Sequence, residues 1–217
     1  MLSKVTRKKR VNNILKTLRE EYPDAGPMLN FSNPLELLIA GILAAQCTDE
    51  KVNEVTAHLF KRYKSAQDYA EADVDELMKE IYSTGTFRKK ALRIKECCRI
   101  IANEHGGNVP ADMEALSSIP GIGRKTANMV LADAFSQPGI IMDTHVIRLS
   151  GRIGLSDKKY PDKIELDLLD IVPRQDRTIF SHLLAFHGRS ICVARNPKCE
   201  ICKIKGFCDY YRDLKQN

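Results

Sequence analysis

The sequence predicts an all-α protein, and three observations carry that expectation. Nearly every periodic segment repeats its apolar residues at i, i+3, i+4 and i+7, the spacing of one helix face. A single short apolar run, residues 140–142, reads as extended. The stretch Ile119-Pro120-Gly121-Ile122-Gly123-Arg124-Lys125-Thr126 reads as a tight corner joining a short helix before it to a longer one after it.

The elements follow in order. Residues 8–21 offer the stripe Val11, Ile14, Leu15 and Leu18, ended near Tyr22-Pro23. Residues 23–33, rich in Pro, Gly and Asn, form a connection and a candidate domain boundary. Asn33 then stands as an N-cap, with Pro34 at the first helical position and Glu36 at the third. The helix at 35–45 is apolar nearly all round, as a helix buried mid-domain must be. It runs into Gln46-Cys47-Thr48-Asp49. Thr48 and Asp49 read first as caps of the next helix, whose stripe is Val52, Val55, Leu59 and Phe60. Gln46 caps nothing, so a polar side chain there points to a cleft.

Asp73 to Glu76 resembles a capped start with Leu77 and Ile81 inward. A turn at 83–87 leads to a long helix at 88–104 with Ala91, Ile94, Cys98, Ile101 and Ala102 on its core face. Arg88, Lys89 and Lys90 occupy its first turn, against the helix dipole, which suggests an outside anion. Gly106-Gly107 ends it, and the corner follows. There the two glycines allow positive φ and close approach of a foreign group. The helix at 125–135 buries Ala127, Val130, Leu131 and Ala134. Its open N-terminus is a ready phosphate site, and Lys125 lies in the first turn on the face away from the core. Asp143 precedes a further helix containing Val146, Ile147 and Leu149, as either an N-cap or a functional carboxylate. Residues 161–172 and 176–187 complete about ten helices, and Gly188-Arg189 leads into a cysteine segment.

Net charge is +6. The cations gather at 1–10, 87–99 and 189–208, which suggests a basic face for a polyanion or, on the plainer reading, solvated helix surfaces. No run reaches the ~18 apolar residues of a membrane span, and the basic N-terminus carries no apolar signal core. Four of the seven cysteines, Cys192, Cys199, Cys202 and Cys208, have the spacing C-x6-C-x2-C-x5-C. Four thiolates so close in sequence suit a metal centre, and spacing alone leaves zinc and iron–sulfur open. Either would hold the loop 193–198, with Arg195 and Lys198, in a fixed shape for gripping phosphates. Cys98 reads as core, and Cys47 and Cys97 as free thiols.

Taken together, Ala45-Gln46-Cys47-Thr48-Asp49, the 119–127 corner, Met142-Asp143-Thr144-His145, His187-Gly188-Arg189 and the four-cysteine signature resemble endonuclease III of the helix–hairpin–helix DNA glycosylase superfamily, along essentially the whole length. The resemblance implies a two-domain fold. Residues 27–137 would form a six-helix barrel holding the hairpin, and residues 1–26 with 138–217 a helical domain carrying a C-terminal [4Fe–4S] cluster loop on Cys192, Cys199, Cys202 and Cys208. It implies double-stranded DNA with a damaged base or abasic site as partner, in a cleft between the domains, and a cytoplasmic, nucleoid-associated monomer with no membrane role. It makes Lys125 the nucleophile and Asp143 the catalytic aspartate. Gln46 would fill the space left by an extruded base, with Thr48 and Asp49 beside the lesion pocket. Gly121, Gly123 and Arg124 would belong to the phosphate-binding hairpin. His145 reads as structural.

The implied chemistry is removal of oxidised pyrimidines followed by β-elimination through a lysine Schiff base. A non-catalytic hairpin module needs neither Lys125 nor Asp143, and monofunctional relatives usually lack a lysine at 125. One departure concerns the wedge that enters the base stack: many members carry leucine where this chain has Thr86, a poorer wedge. That keeps a pyrimidine-dimer range open and leaves Phe87 or a rearranged loop to substitute.

Overall fold

The computed structural model describes residues 3–216, and among them lie twelve α-helices, four 3₁₀ turns and no strand. In chain order the helices are α1 (Lys4–Glu21), α2 (Pro34–Leu43), α3 (Asp49–Arg62), α4 (Ala66–Glu71), α5 (Val74–Glu80), α6 (Phe87–Glu104), α7 (Met113–Ser118), α8 (Arg124–Asp133), α9 (Thr144–Ile153), α10 (Pro161–Ile171), α11 (Arg177–Ser190) and α12 (Asp209–Gln216). The 3₁₀ turns are Tyr82–Thr84, Arg174–Asp176, Cys199–Ile201 and Lys205–Phe207. Contacts divide the chain into two units, one of residues 27–137 and one joining the residues up to 26 with those from 138 onward.

In the 27–137 unit, α2 is the buried axis. Asn33 caps it by accepting the Glu36 amide at 3.0 Å. Leu37, Leu38, Ile39, Ile42 and Leu43 are all buried, each stabilising by about 1.5–3 kcal/mol relative to exposure. Helices α3, α6 and α8 pack on it. The unit holds seven α-helices, one more than expected, because Ser65 and Asp68 close a capping box that starts the short α4. Cys97 is a free thiol as expected, but a fully buried one beside Cys98, and burial pushes its pKa up to about 12.

The basic stretch 87–99 is only partly an outward face. Lys90 is buried, Lys95 donates to the carbonyls of Ala70 and Ala72 at the end of α4, and Arg99 forks onto Glu96. Of the three cations opening α6, only Arg88 and Lys89 face solvent. The N-terminal stretch behaves alike: Lys4 pairs with Asp170, Arg7 donates to the Leu155 carbonyl at 3.0 Å, and Arg10 reaches Asp209 at 2.8 Å.

In the other unit, α1 begins four residues before the expected segment 8–21, because Ser3 caps it through the Thr6 amide. It packs on α10 and α11. The run 140–142 is buried but forms no strand; the Ile141 amide donates instead to Ser181 Oγ at 3.0 Å. Gly188 and Arg189 are not a connection but the last turn of α11.

Gly188 is where α9 and α11 meet. A Cβ there would stand 2.7 Å from His145 Nδ1 and 2.8 Å from His145 Cβ. His145 in turn contacts Arg148 Nη2 at 3.1 Å, and burial lowers its pKa. Gly188→Ala is expected to destabilise by about 1–3 kcal/mol through overpacking, read as a lowered Tm. An unchanged melting curve would show that this contact yields freely.

Candidate functional site

The corner at 119–126 is built by two buried anchors and one glycine. Ile119 and Ile122 are buried, and the Ile122 amide donates to the Ile119 carbonyl at 3.0 Å. Gly121 has φ 89°, a left-handed value, and the Arg93 side chain passes 3.3 Å from where its Cβ would stand. Gly123 differs from expectation: its φ is −86° and ψ 164°, ordinary extended backbone. Its place is the N-cap of α8, where it supplies no side chain, so the first-turn amides remain available to an anion. Arg124 and Lys125 are the first two residues of α8 and both are exposed, while Ala127, Val130 and Leu131 are buried. Ala134 is half-buried and packs against that core, and Ala132 is buried as well.

Two further loops of the same unit carry unusual backbone. Gln46 is exposed with φ 56°, and Thr86 is exposed with φ 44°. Left-handed conformation at such residues costs about 1–3 kcal/mol and persists only where the surroundings impose it. Thr48 caps α3 by accepting the Lys51 amide at 3.3 Å, as the capping reading has it, whereas Asp49 is that helix's first residue and not its cap. Phe87 is half-buried, its ring 4.8 Å from that of Tyr82. Tyr82, 66% exposed, is the aromatic this loop presents to solvent.

In the other unit, Asp143 is half-buried and caps α9, its Oδ1 accepting the Val146 amide at 2.7 Å. Capping uses one carboxylate oxygen and fixes the side chain's direction.

Cys192, Cys199, Cys202 and Cys208 are all free thiols, and all line one apolar cavity with Leu149, Ile153 and Pro197. Burial raises the thiol pKa of Cys199, Cys208 and Cys202, the last to about 11, so a bound metal is what would deprotonate them at neutral pH. Among the described residues, no three His, Cys, Asp or Glu side chains lie close enough to hold a single metal ion. A tetrahedral zinc with Zn–S bonds of about 2.3 Å would draw its sulfurs to roughly 3.8 Å from one another. A four-iron cubane is a larger body that takes one thiolate at each iron, and this set of four cysteines around one cavity fits it.

Sequence reasoning missed what holds the segment. Arg152 Nη1 donates to the Val193 carbonyl at 2.7 Å and to Cys192 Sγ at 3.4 Å, and Nη2 to the Ala194 carbonyl at 2.8 Å. Arg148 donates to the carbonyls of Cys192 and Gly188. Buried His187 lies 3.3 Å from Cys202 Sγ through Nε2 and 3.0 Å from Tyr22 Oη through Nδ1, and burial lowers its pKa to about 4. The only advance signal was two arginines four residues apart on one helix. Within the loop they hold, Arg195 and Lys198 are exposed.

Comparison with known proteins agrees with this architecture. Residues 39–174 match the model of the HhH-GPD superfamily of base excision DNA repair proteins, and residues 192–208 match the iron–sulfur binding domain of endonuclease III. The endonuclease III of a Synechocystis species is 46% identical over 94% of this chain and 93% of its own length. The chain belongs to the endonuclease III family. The Escherichia coli endonuclease III is 42% identical over 91% of this chain and 93% of its own length. A trapped endonuclease III–DNA covalent intermediate superposes with a TM-score of 0.92 at 38% identity, covering 99% of this chain and all of that one. The endonuclease III iron–sulfur match begins at Cys192 and ends at Cys208, the first and last of the four cysteines that line the cavity. The cofactor of this chain is accordingly a [4Fe–4S] cluster.

Proposed function

We propose that Lys125 and Asp143 carry the chemistry of this chain, which is a base-excision DNA glycosylase and abasic-site lyase acting on damaged pyrimidines in duplex DNA. The observation that carries the assignment is an exposed lysine in the first turn of an uncapped helix behind the hairpin. A related endonuclease III has been captured as a covalent intermediate with DNA, which requires a protein nucleophile. A non-catalytic hairpin module has no use for one.

The damaged nucleotide leaves the stack, least expensively where damage weakens stacking. Gly121, Gly123, Arg124 and the α8 amides hold a backbone phosphate. Gln46 and the Thr86 loop enter the space vacated in the duplex, and Arg195 and Lys198 contact phosphates from the cysteine loop. The Lys125 amine attacks C1′ through its lone pair, and the base departs with the glycosidic electron pair and a proton. Asp143 stabilises positive charge developing on the sugar. The nitrogen lone pair then expels the ring oxygen, which takes up a proton from solvent, and the resulting protonated Schiff base acidifies C2′. Removal of a C2′ proton expels the 3′ oxygen and cuts the strand. Cys192, Cys199, Cys202 and Cys208 hold the cluster, whose contribution when bound is to cross-link the C-terminal segment.

The test is a duplex carrying one thymine glycol, with release of the base and scission of the strand followed together. Coupled release and scission are expected. Release that leaves an intact abasic strand would make the chain monofunctional and remove Lys125 from its role. A parallel duplex carrying a pyrimidine dimer is expected to react far more slowly.

A further inference from the structure

Lys90 stands on the core face of α6, in line with Ile94, Cys97 and Ile101, and is 1% exposed. Its Nζ donates to two carbonyls, that of Leu43 at 2.7 Å and that of Thr84 at 2.6 Å. Each of these residues ends an element: Leu43 is the last residue of α2, and Thr84 the last of the 3₁₀ turn Tyr82–Thr84. Terminal carbonyls lack intrahelical partners and carry the negative pole of the helix, so an ammonium between them satisfies both. Burial holds its pKa below the ordinary lysine value, and the nearby Cys47 works the other way.

The segments that leave those two carbonyls are the unusual ones. Three residues after Leu43 comes Gln46, and two after Thr84 comes Thr86, both with left-handed backbone. Thr84 is itself buried, its Oγ1 donating to the Ile81 carbonyl at 2.8 Å. The roots of both loops therefore meet on one side chain, 47 and 6 residues away in sequence.

We infer that Lys90 is a positioning residue that fixes the Gln46 loop and the Thr86 loop relative to each other, so that both enter the opened duplex together. This rests on the roles proposed above for those loops. Lys90 touches no DNA; it acts through the backbone of its two partners. Without it the loops lose their common root, and steps that need strand opening suffer while chemistry on an already open substrate does not.

The experiment compares wild type, Lys90→Met and Gln46→Ala on two substrates: a duplex with one thymine glycol, and a single-stranded oligonucleotide with one abasic site. Cluster absorbance and Tm verify folding. Lys90→Met is expected to lower base removal from the duplex by roughly 100-fold, the scale of an ångström-level misplacement, and to leave single-strand β-elimination within about threefold of wild type. Parallel losses on both substrates would reduce Lys90 to a fold-stabilising residue and overturn the inference. So would an unchanged duplex rate in Lys90→Met beside a lowered one in Gln46→Ala. Unchanged duplex rates in both variants would instead overturn the role of the loops themselves. If Lys90→Met does not fold, Lys90→Arg, which keeps the charge at a different reach, is measured on the same two substrates with the same split expected and the same outcomes decisive.

Discussion

Lys125→Ala is expected to abolish strand scission, by at least about 10⁴-fold, the order lost when a covalent nucleophile is removed. At 1.36 kcal/mol per tenfold, that is roughly 5 kcal/mol or more of barrier. DNA binding and the cluster's visible absorbance should remain close to wild type. Lys125 is exposed in the first turn of α8, and alanine is the better helix former, so the hairpin has no reason to move. The proposed phosphate capture rests on backbone amides of that turn, which the substitution does not touch. Gel-shift affinity and scission of an abasic duplex, measured on the same preparation, separate the two. Full scission in the variant would place the nucleophile elsewhere.

Asp143→Asn is the second large effect. Asparagine caps a helix about as well as aspartate, and its side-chain carbonyl can still accept the Val146 amide now held at 2.7 Å. The substitution therefore removes the charge and keeps α9. Base removal is expected to fall by roughly 10²–10³-fold, the loss seen when one stabilising group is taken from a developing charge. Binding to undamaged duplex should change by less than about threefold, since duplex affinity comes chiefly from cation–phosphate contacts, which a half-buried capping carboxylate does not make. Equal losses in catalysis and binding would leave Asp143 with its capping role alone.

The helical frame was legible because its signals are local. Val11, Ile14, Leu15 and Leu18 repeat at helical spacing and are all buried, and Asn33 with Pro34 starts α2 where those residue types predict. Short elements were less so. The six residues of α4 are too few for a period to show, and only Ser65 three before Asp68 announced it. Gly123 looked like a second left-handed glycine, yet a helix N-cap asks for extended backbone.

Lys90 failed for a different reason. Its place in line with Ile94, Cys97 and Ile101 was visible, but a lysine is read as solvated until its partners are known, and Leu43 lies 47 residues away. The same holds for Arg152, whose acceptors Val193 and Ala194 are 41 and 42 residues distant. Lys125 and Asp143 stood out from the reverse circumstance. Each opens a helix at a motif readable within a few residues, although a capping aspartate looks the same whether or not it also serves a reaction.

Borohydride trapping on a duplex with one abasic site tests the central claim most directly. Wild type should give a covalent protein–DNA adduct, and Lys125→Ala should give none while still binding the same duplex. No adduct from a wild type that binds and cuts would contradict the Schiff base, and an undiminished adduct from the variant would contradict Lys125.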